Sequence, residues 1–283
     1  MARPLAFERR SSGAASRALR GAGPWIVRLA RIGFVAKGIV YVVIGAIAAG
    51  VALGMTRHFA DAEGALRILV AQPFGRVFLV AVGVGLLGYA AWQAVAAALD
   101  VERRGARLGG LAARVGFAVG ALVHGVLGVD ALRLALSEHP GRRGVDSIRY
   151  WTSRLLSASH GTWVVFLAAA VVIVLGLDQI RRAYLGDVVA DLELPPRDAA
   201  ARWAVPVGRL GEAARGVILL VIGGFLVEAA RKGDPRPVGG LARALRALDR
   251  GYGPWVLAVV ALGLASFGVL QILSARYRRF RMG

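Results

Sequence analysis

Long apolar runs separated by short basic stretches dominate the chain. Residues 77–99 pass without a charge, as do residues 252–275; at about 1.5 Å of rise per residue, either run crosses a bilayer core as a helix. Residues 38–55 and 161–177 are slightly shorter and reach spanning length by adding flanking residues whose long side chains snorkel. Two further runs are weaker: 115–129 carries His124, and 216–227 alone would suit a buried soluble helix. Between the paired runs the period changes. Leu241, Leu245 and Leu248 fall at i, i+4, i+7 with Arg243, Arg246 and Arg250 on other faces, and Ala65-Leu66-Arg67 echoes Ala244-Leu245-Arg246. Ile148, Trp151 and Leu155 fill the same place in the middle of the chain. These stretches predict short amphipathic helices lying on the outer leaflet. Each then meets an aromatic-glycine step (Phe74-Gly75, His160-Gly161, Tyr252-Gly253), read as the turn from a flat helix into a spanning one.

The weak runs gain support from an internal repeat. A shift of 178 residues superposes Trp25 on Trp203, Arg31 on Arg209, Gly33 on Gly211, Gly38 on Gly216, Gly45 on Gly223, Gly75 on Gly253, Gly85 on Gly263 and Gln93 on Gln271. A worn middle copy follows at a shift of 83 for Arg31, Gly33, Phe34 and Gly45, and of 86 for Gly75 and Gln93. The chain is therefore one unit written three times, each with two spans. Its expected divisions are a disordered basic arm over 1–23, repeat 1 over 24–100, repeat 2 over 101–182, a cytoplasmic linker over 183–202, and repeat 3 with a basic tail over 203–283. Trp25 and Trp203, six residues before the repeat's Arg, are expected to supply an aromatic belt. The linker, with acids around Pro195-Pro196, reads as a solvated semi-rigid connector.

Charge orients this plan. The formal net charge is +19. With both termini placed inside, the inner segments hold 20 Lys/Arg against 13 in the outer loops, which favours cytoplasmic termini. The basic arm then rests on anionic headgroups, so membrane lipids are the expected partner; only Phe7 interrupts the arm, too little aromatic content for nucleic-acid binding. There is no cysteine, which rules out disulfides and thiolate metal sites.

Candidate chemistry is sparse. Gly83-Val-Gly85-Leu-Leu-Gly88 matches a dinucleotide fingerprint on paper but sits inside an apolar helix, where glycines serve helix packing. Gly50 to Gly54 and Gly116 to Gly120 are GxxxG steps of the same kind. No nucleophile elbow, HExxH or P-loop occurs, so no catalytic residue, metal ligand or cofactor is assigned. His124 stands where the other copies have Tyr41 and Leu219, and fits either a neutral core histidine or a proton relay. Each membrane-proximal acid has a base three residues on (Asp130 and Arg133, Asp178 and Arg181, Glu212 and Arg215, Glu228 and Arg231), a spacing suited to ion pairs on one helix face. Lys37 and Arg215, equivalent in the repeat, enter the membrane and can snorkel back. The most specific polar signal is Gln93, Gln179 and Gln271, one per copy. A buried amide is costly unless paired. Arg31, Arg114 and Arg209 lie in the same leaflet, which allows either a local Gln to Arg or Gln to backbone lock, or a shared ring of glutamines about an axis.

The motifs Arg31-Ile-Gly33, Gly64-Ala-Leu-Arg67, Gln72-Pro-Phe-Gly75-Arg and Gly88-Tyr-Ala-Ala-Trp92 resemble the bacterial domain-of-unknown-function family numbered 1206, over nearly everything from Trp25 to Tyr277. The resemblance implies a bacterial plasma-membrane protein and carries over no activity or site. The expected fold is all-α: six transmembrane helices as three tandem hairpins with pseudo-threefold symmetry. The expected function is a non-enzymatic structural or lipid- or small-ligand-binding envelope protein, with a small-solute transporter or channel as alternative and an intramembrane enzyme third.

Overall fold

The structure is a computed structural model that describes residues 5–71, 73–99, 108–136, 147–190, 192–195 and 199–278. The described residues form nine α-helices: α1 (Leu5–Ala52), α2 (Ala62–Val70), α3 (Gly75–Leu99), α4 (Leu108–Leu136), α5 (Ser147–Leu156), α6 (Gly161–Leu185), α7 (Ala199–Lys232), α8 (Leu241–Tyr252) and α9 (Pro254–Tyr277). Six of them, α1, α3, α4, α6, α7 and α9, contain stretches long and apolar enough to span a membrane. The weak runs around His124 and over 216–227 are among these, inside α4 and α7, so the repeat was the sounder guide than the length of either run. The protein is a six-span, all-α membrane bundle in three repeats. The face on which α1, α4 and α7 enter the bundle, marked by Arg31, Arg114 and Arg209, is called the arginine face below.

Packing runs chiefly between copies. The first long helix of each copy lies against the second long helix of the preceding one: α4 on α3, α7 on α6 and, closing the circle, α1 on α9. Glycines at matching repeat positions make these crossings close. A Cβ built on Gly38 would lie 2.7 Å from the Gly268 carbonyl oxygen, and one on Gly216 would lie 2.8 Å from that of Gly176. Backbones this near leave no room for a side chain, and the gain is dispersion between helices in a solvent that offers no hydrophobic drive to associate.

Contacts within a copy are less even. In the first, a Cβ on Gly33 would collide with the Gly85 carbonyl; in the third, one on Gly211 would meet the Phe267 backbone at 2.6 Å. Repeat positions Gly85 and Gly263 correspond to Val171 in the middle copy. A β-branched side chain stands where close approach requires none, and among the described residues α4 and α6 share almost no packing. Leu175 reaches Gly116, whose added Cβ would lie 3.2 Å from it.

The short helices occur where the sequence placed them. Asp61 caps α2 by accepting from the Gly64 N–H at 2.8 Å. Ala65 and Leu66 of α2 and Ala244, Leu245 and Leu248 of α8 are buried, so both apolar stripes pack on the bundle. In α5 Trp151 is exposed and Thr152 is buried, while the Ile148 side chain lies outside the described residues.

Several expectations need correction. Over 5–23 the chain is the first part of α1 and not a disordered arm; the Ala, Arg and Leu of this stretch are strong helix formers and continue the span's helix outward. Only Tyr252-Gly253 turns through a glycine with positive φ, +85° at Gly253. At Phe74-Gly75 the phenylalanine takes the positive φ, and Gly75 and Gly161 instead make room for carbonyls ending α2 and α5. The linker is shorter than expected, because α6 runs to Leu185 and α7 starts at Ala199. It is also docked: the Glu193 N–H donates to the Tyr277 carbonyl at 2.8 Å, and Leu192 bridges Arg278. Linker residues Asp191, Pro196 and Asp198 lie outside the described residues, as does the Trp25 side chain. Gly54 lies beyond the end of α1 in a turn, so Gly50 to Gly54 is not a helix-packing step.

Candidate functional site

Polar side chains gather in two places, the bundle interior and the arginine face. Inside, Lys37 on α1 is buried and extends its ammonium over the rings of Tyr89 and Phe267, 5.3 and 5.1 Å from their centroids. Arg215 on α7 lies over the same Phe267 ring at 5.0 Å, and its Nε donates to the Tyr41 hydroxyl at 3.3 Å. Tyr89 and Phe267 are equivalent positions of the repeat, so two copies supply an aromatic platform and two supply a cation. Neither cation snorkels free of the bundle as expected: each is drawn to ring faces, which are worth about 0.5 to 2 kcal/mol apiece.

The buried acid Glu212 was expected to pair with Arg215, one turn along α7. It pairs with Arg182 of α6 at 3.3 Å, and Arg182 also meets Asp178 at 3.2 Å. A carboxylate at a helix crossing can be reached from the neighbouring helix as easily as from its own. Asp178 with Arg181 at 3.1 Å and Asp130 with Arg133 at 3.9 Å follow the expected spacing, whereas Glu228 pairs with Lys232, four residues on, at 2.7 Å.

His124 is a core histidine. Its Nδ1 lies 2.6 Å from the Gly120 carbonyl, which can only accept, so that nitrogen carries a proton. The ring packs edge-on to Tyr89 at 4.9 Å.

All three glutamines are buried, and among the described residues none is hydrogen-bonded to an arginine. Gln93 sets its amide directly against Gly120, where an added Cβ would collide with it, so the contact joins two copies and does not close one hairpin. Among the described residues the side-chain oxygens of Gln93 and Gln179 have no hydrogen-bond partner. Since the three share no partner among the described residues, leucine replacements are expected to act independently. Each should cost under about 1 kcal/mol, because an amide bond worth about that much is incomplete already. The triple variant should match the sum of the singles within about 0.5 kcal/mol in detergent unfolding, and a clear shortfall would mean that the glutamines share a network.

The arginines act on backbone instead. Arg114 donates from Nε to the Ala97 carbonyl at 2.7 Å and from Nη2 to that of Ala98 at 3.1 Å. Arg209 does the same one copy later, from Nε to Ala183 at 2.8 Å and from Nη2 to Tyr184. Each thereby satisfies carbonyls at the end of the preceding copy's second helix, which have no partner within that helix. No sequence motif announces this, although one Arg per copy was the available signal. Arg31 differs: it is exposed and lines an open groove of about 540 Å³ between α1 and α9, with Ile32, Val35, Ile272, Leu273, Ala275, Arg276 and Tyr277. Among the described residues no group of three or more His, Cys, Asp or Glu side chains could hold a metal ion.

Three separate segments of the chain, 32–100, 115–186 and 210–278, match the family described as Domain of Unknown Function (DUF1206). The chain belongs to this family. The matched segments fall one in each of the three copies, and the second covers the divergent middle one. The chain is also 30% identical over 257 residues to Uncharacterized protein YxxB of Bacillus subtilis (strain 168), covering 90% of this chain and 92% of that protein. No solved structure matches it. Neither comparison carries an activity.

Proposed function

We propose that this DUF1206 protein is a non-enzymatic component of the bacterial plasma membrane, with both termini cytoplasmic, that binds anionic phospholipid at its arginine face. The observation that carries the reading is the asymmetry of the repeat arginines. Arg114 and Arg209 are committed to helix ends, whereas Arg31 stands at the mouth of a groove whose other cation is Arg276 and whose walls are Ile32, Val35 and Ile272. Those three side chains are 47%, 37% and 39% exposed. Two cations above an apolar wall match a phosphate headgroup above an acyl chain. The charge asymmetry along the sequence supports the same orientation.

Thermal unfolding in neutral detergent tests it. Phosphatidylglycerol is expected to raise the midpoint of the native protein by several degrees and phosphatidylcholine to leave it unchanged, with the difference lost in R31Q/R276Q. Equal response to both lipids, or an undiminished response in the variant, would remove the reading. Reporters fused at residue 283 and within 137–146 should read opposite sides of the membrane; the same side for both would overturn the orientation.

A further inference from the structure

The interior cations, Lys37 buried and Arg215 half-buried, have no role in that reading. Lys37 and Arg215 occupy one repeat position, and both face Phe267, which keeps the charges within about 10 Å of each other, where they repel. Lys37 is 7% exposed, and among the described residues its ammonium has aromatic rings but no hydrogen bond and no ion pair. A ring face offsets only part of the cost of taking an ammonium out of water. Among the described residues the one buried acid is Glu212, which Arg182 engages. Among the described residues the interior therefore carries more positive charge than this one acid, already paired with Arg182, can balance.

The bundle wall is weakest in the middle copy. The aromatic layer formed by Tyr89 and Phe267 has Leu175 at the third position, and the glycine that seals the other two copies is Val171. Among the described residues α4 and α6 share almost no packing. One border of this cleft is α4, whose His124 lies edge-on to the Tyr89 ring that also faces Lys37. The other is α6, which crosses α7 at Gly216, the residue after Arg215. The opening thus lies between α4, which borders the Tyr89 ring beside Lys37, and α6, which packs on the helix that carries Arg215.

We propose that Lys37 and Arg215 bind the carboxylate of an amphiphilic acid, a fatty-acid-like molecule that enters sideways between α4 and α6 and leaves its tail in that cleft. The carboxylate supplies the charge the interior lacks, Arg215 and Lys37 supply donors, and Leu175 and Val171 line the side on which an alkyl chain would lie. A free small anion would satisfy the cations but would gain nothing from the cleft.

Equilibrium binding of radiolabelled laurate to the full-length protein in a neutral maltoside detergent tests this. Saturable binding near one per chain is expected, displaced by decanoate but not by dodecanol or by acetate at equal concentration. K37M/R215M is expected to weaken it at least tenfold; buried charges replaced by apolar groups of similar size commonly leave a fold intact. L175W keeps both cations, fills the third sector and should also weaken binding at least tenfold, which keeps the test decisive if the double variant does not fold. Undiminished binding in K37M/R215M, or displacement by dodecanol as strong as by decanoate, would remove the anion site. Displacement by acetate as strong as by decanoate, or undiminished binding in L175W, would remove the lateral route and with it the amphiphile.

Discussion

Valine at Gly268 is expected to leave no folded bundle. The crossing of α1 and α9 joins the last copy to the first, and it is set by backbone. A Cβ on Gly268 would stand 2.5 Å from the Gly38 carbonyl oxygen and 2.8 Å from the Val42 nitrogen. Overpacking against side chains costs about 1 to 3 kcal/mol because rotamers give way. Here main-chain atoms oppose the new group on one side and the rigid α9 helix holds it on the other, so relief requires separating two long helices. The expected loss exceeds about 3 kcal/mol, a large part of ordinary domain stability. Gly224, elsewhere in the spans, provides the control: nothing lies within 4 Å of its added Cβ. G224A should be neutral or slightly stabilising, by up to about 1 kcal/mol, since alanine favours the helix more than glycine does. Thermal unfolding and gel filtration of both variants in detergent decide the matter; a monodisperse G268V protein with a native midpoint would show that this crossing does not close the ring.

That prediction depends on information the sequence held only in part. The shifts of 178, 83 and 86 placed glycines such as Gly38, Gly216, Gly85 and Gly263 at matching positions, and hence six spans in three copies. They did not say which helix each glycine faces. A repeat pattern fixes position within a unit, while the partner of a face is decided by how units close around the axis. For the same reason Glu212 was assigned to Arg215, its neighbour along the helix, when the carboxylate in fact meets Arg182 across a helix crossing. The glutamines were legible as buried and repeated. Their setting against the next copy, at Gly120 for Gln93, was not, because the lysine position of copy one becomes glycine in copy two and only the packed structure shows why that vacancy is filled by an amide. The opening of the middle copy was present in the sequence as Val171 in place of Gly85 and Gly263. It becomes meaningful only once those glycines are known to seal the other two hairpins.

The repeat arginines give the second large effect, and it should differ between equivalent positions. R114M removes two charge-assisted hydrogen bonds to the Ala97 and Ala98 carbonyls, at 2.7 and 3.1 Å, and a cation from the negative end of α3. Carbonyls at a helix end that lose such a donor are left to whatever water reaches them. Hydrogen bonds to charged groups contribute about 1.5 to 3 kcal/mol each when shielded. Arg114 is only half-buried, so about 2 to 3 kcal/mol for the pair is expected. R209M breaks the matching bonds to Ala183 and Tyr184, but from a more exposed guanidinium, and should cost about 1 to 2 kcal/mol. R31M should cost less than about 0.5 kcal/mol in detergent without added lipid, as an exposed residue does. The end of α9 next to it is already held by the linker, through Glu193 to the Tyr277 carbonyl at 2.8 Å. Among the described residues that contact has no counterpart at the ends of α3 and α6, where arginine does the holding. Denaturant titrations of the three variants in detergent check the order. If R31M proved as costly as R114M, Arg31 would be the third member of a uniform set of helix caps, and the groove beside it would have no arginine to spare for a lipid phosphate.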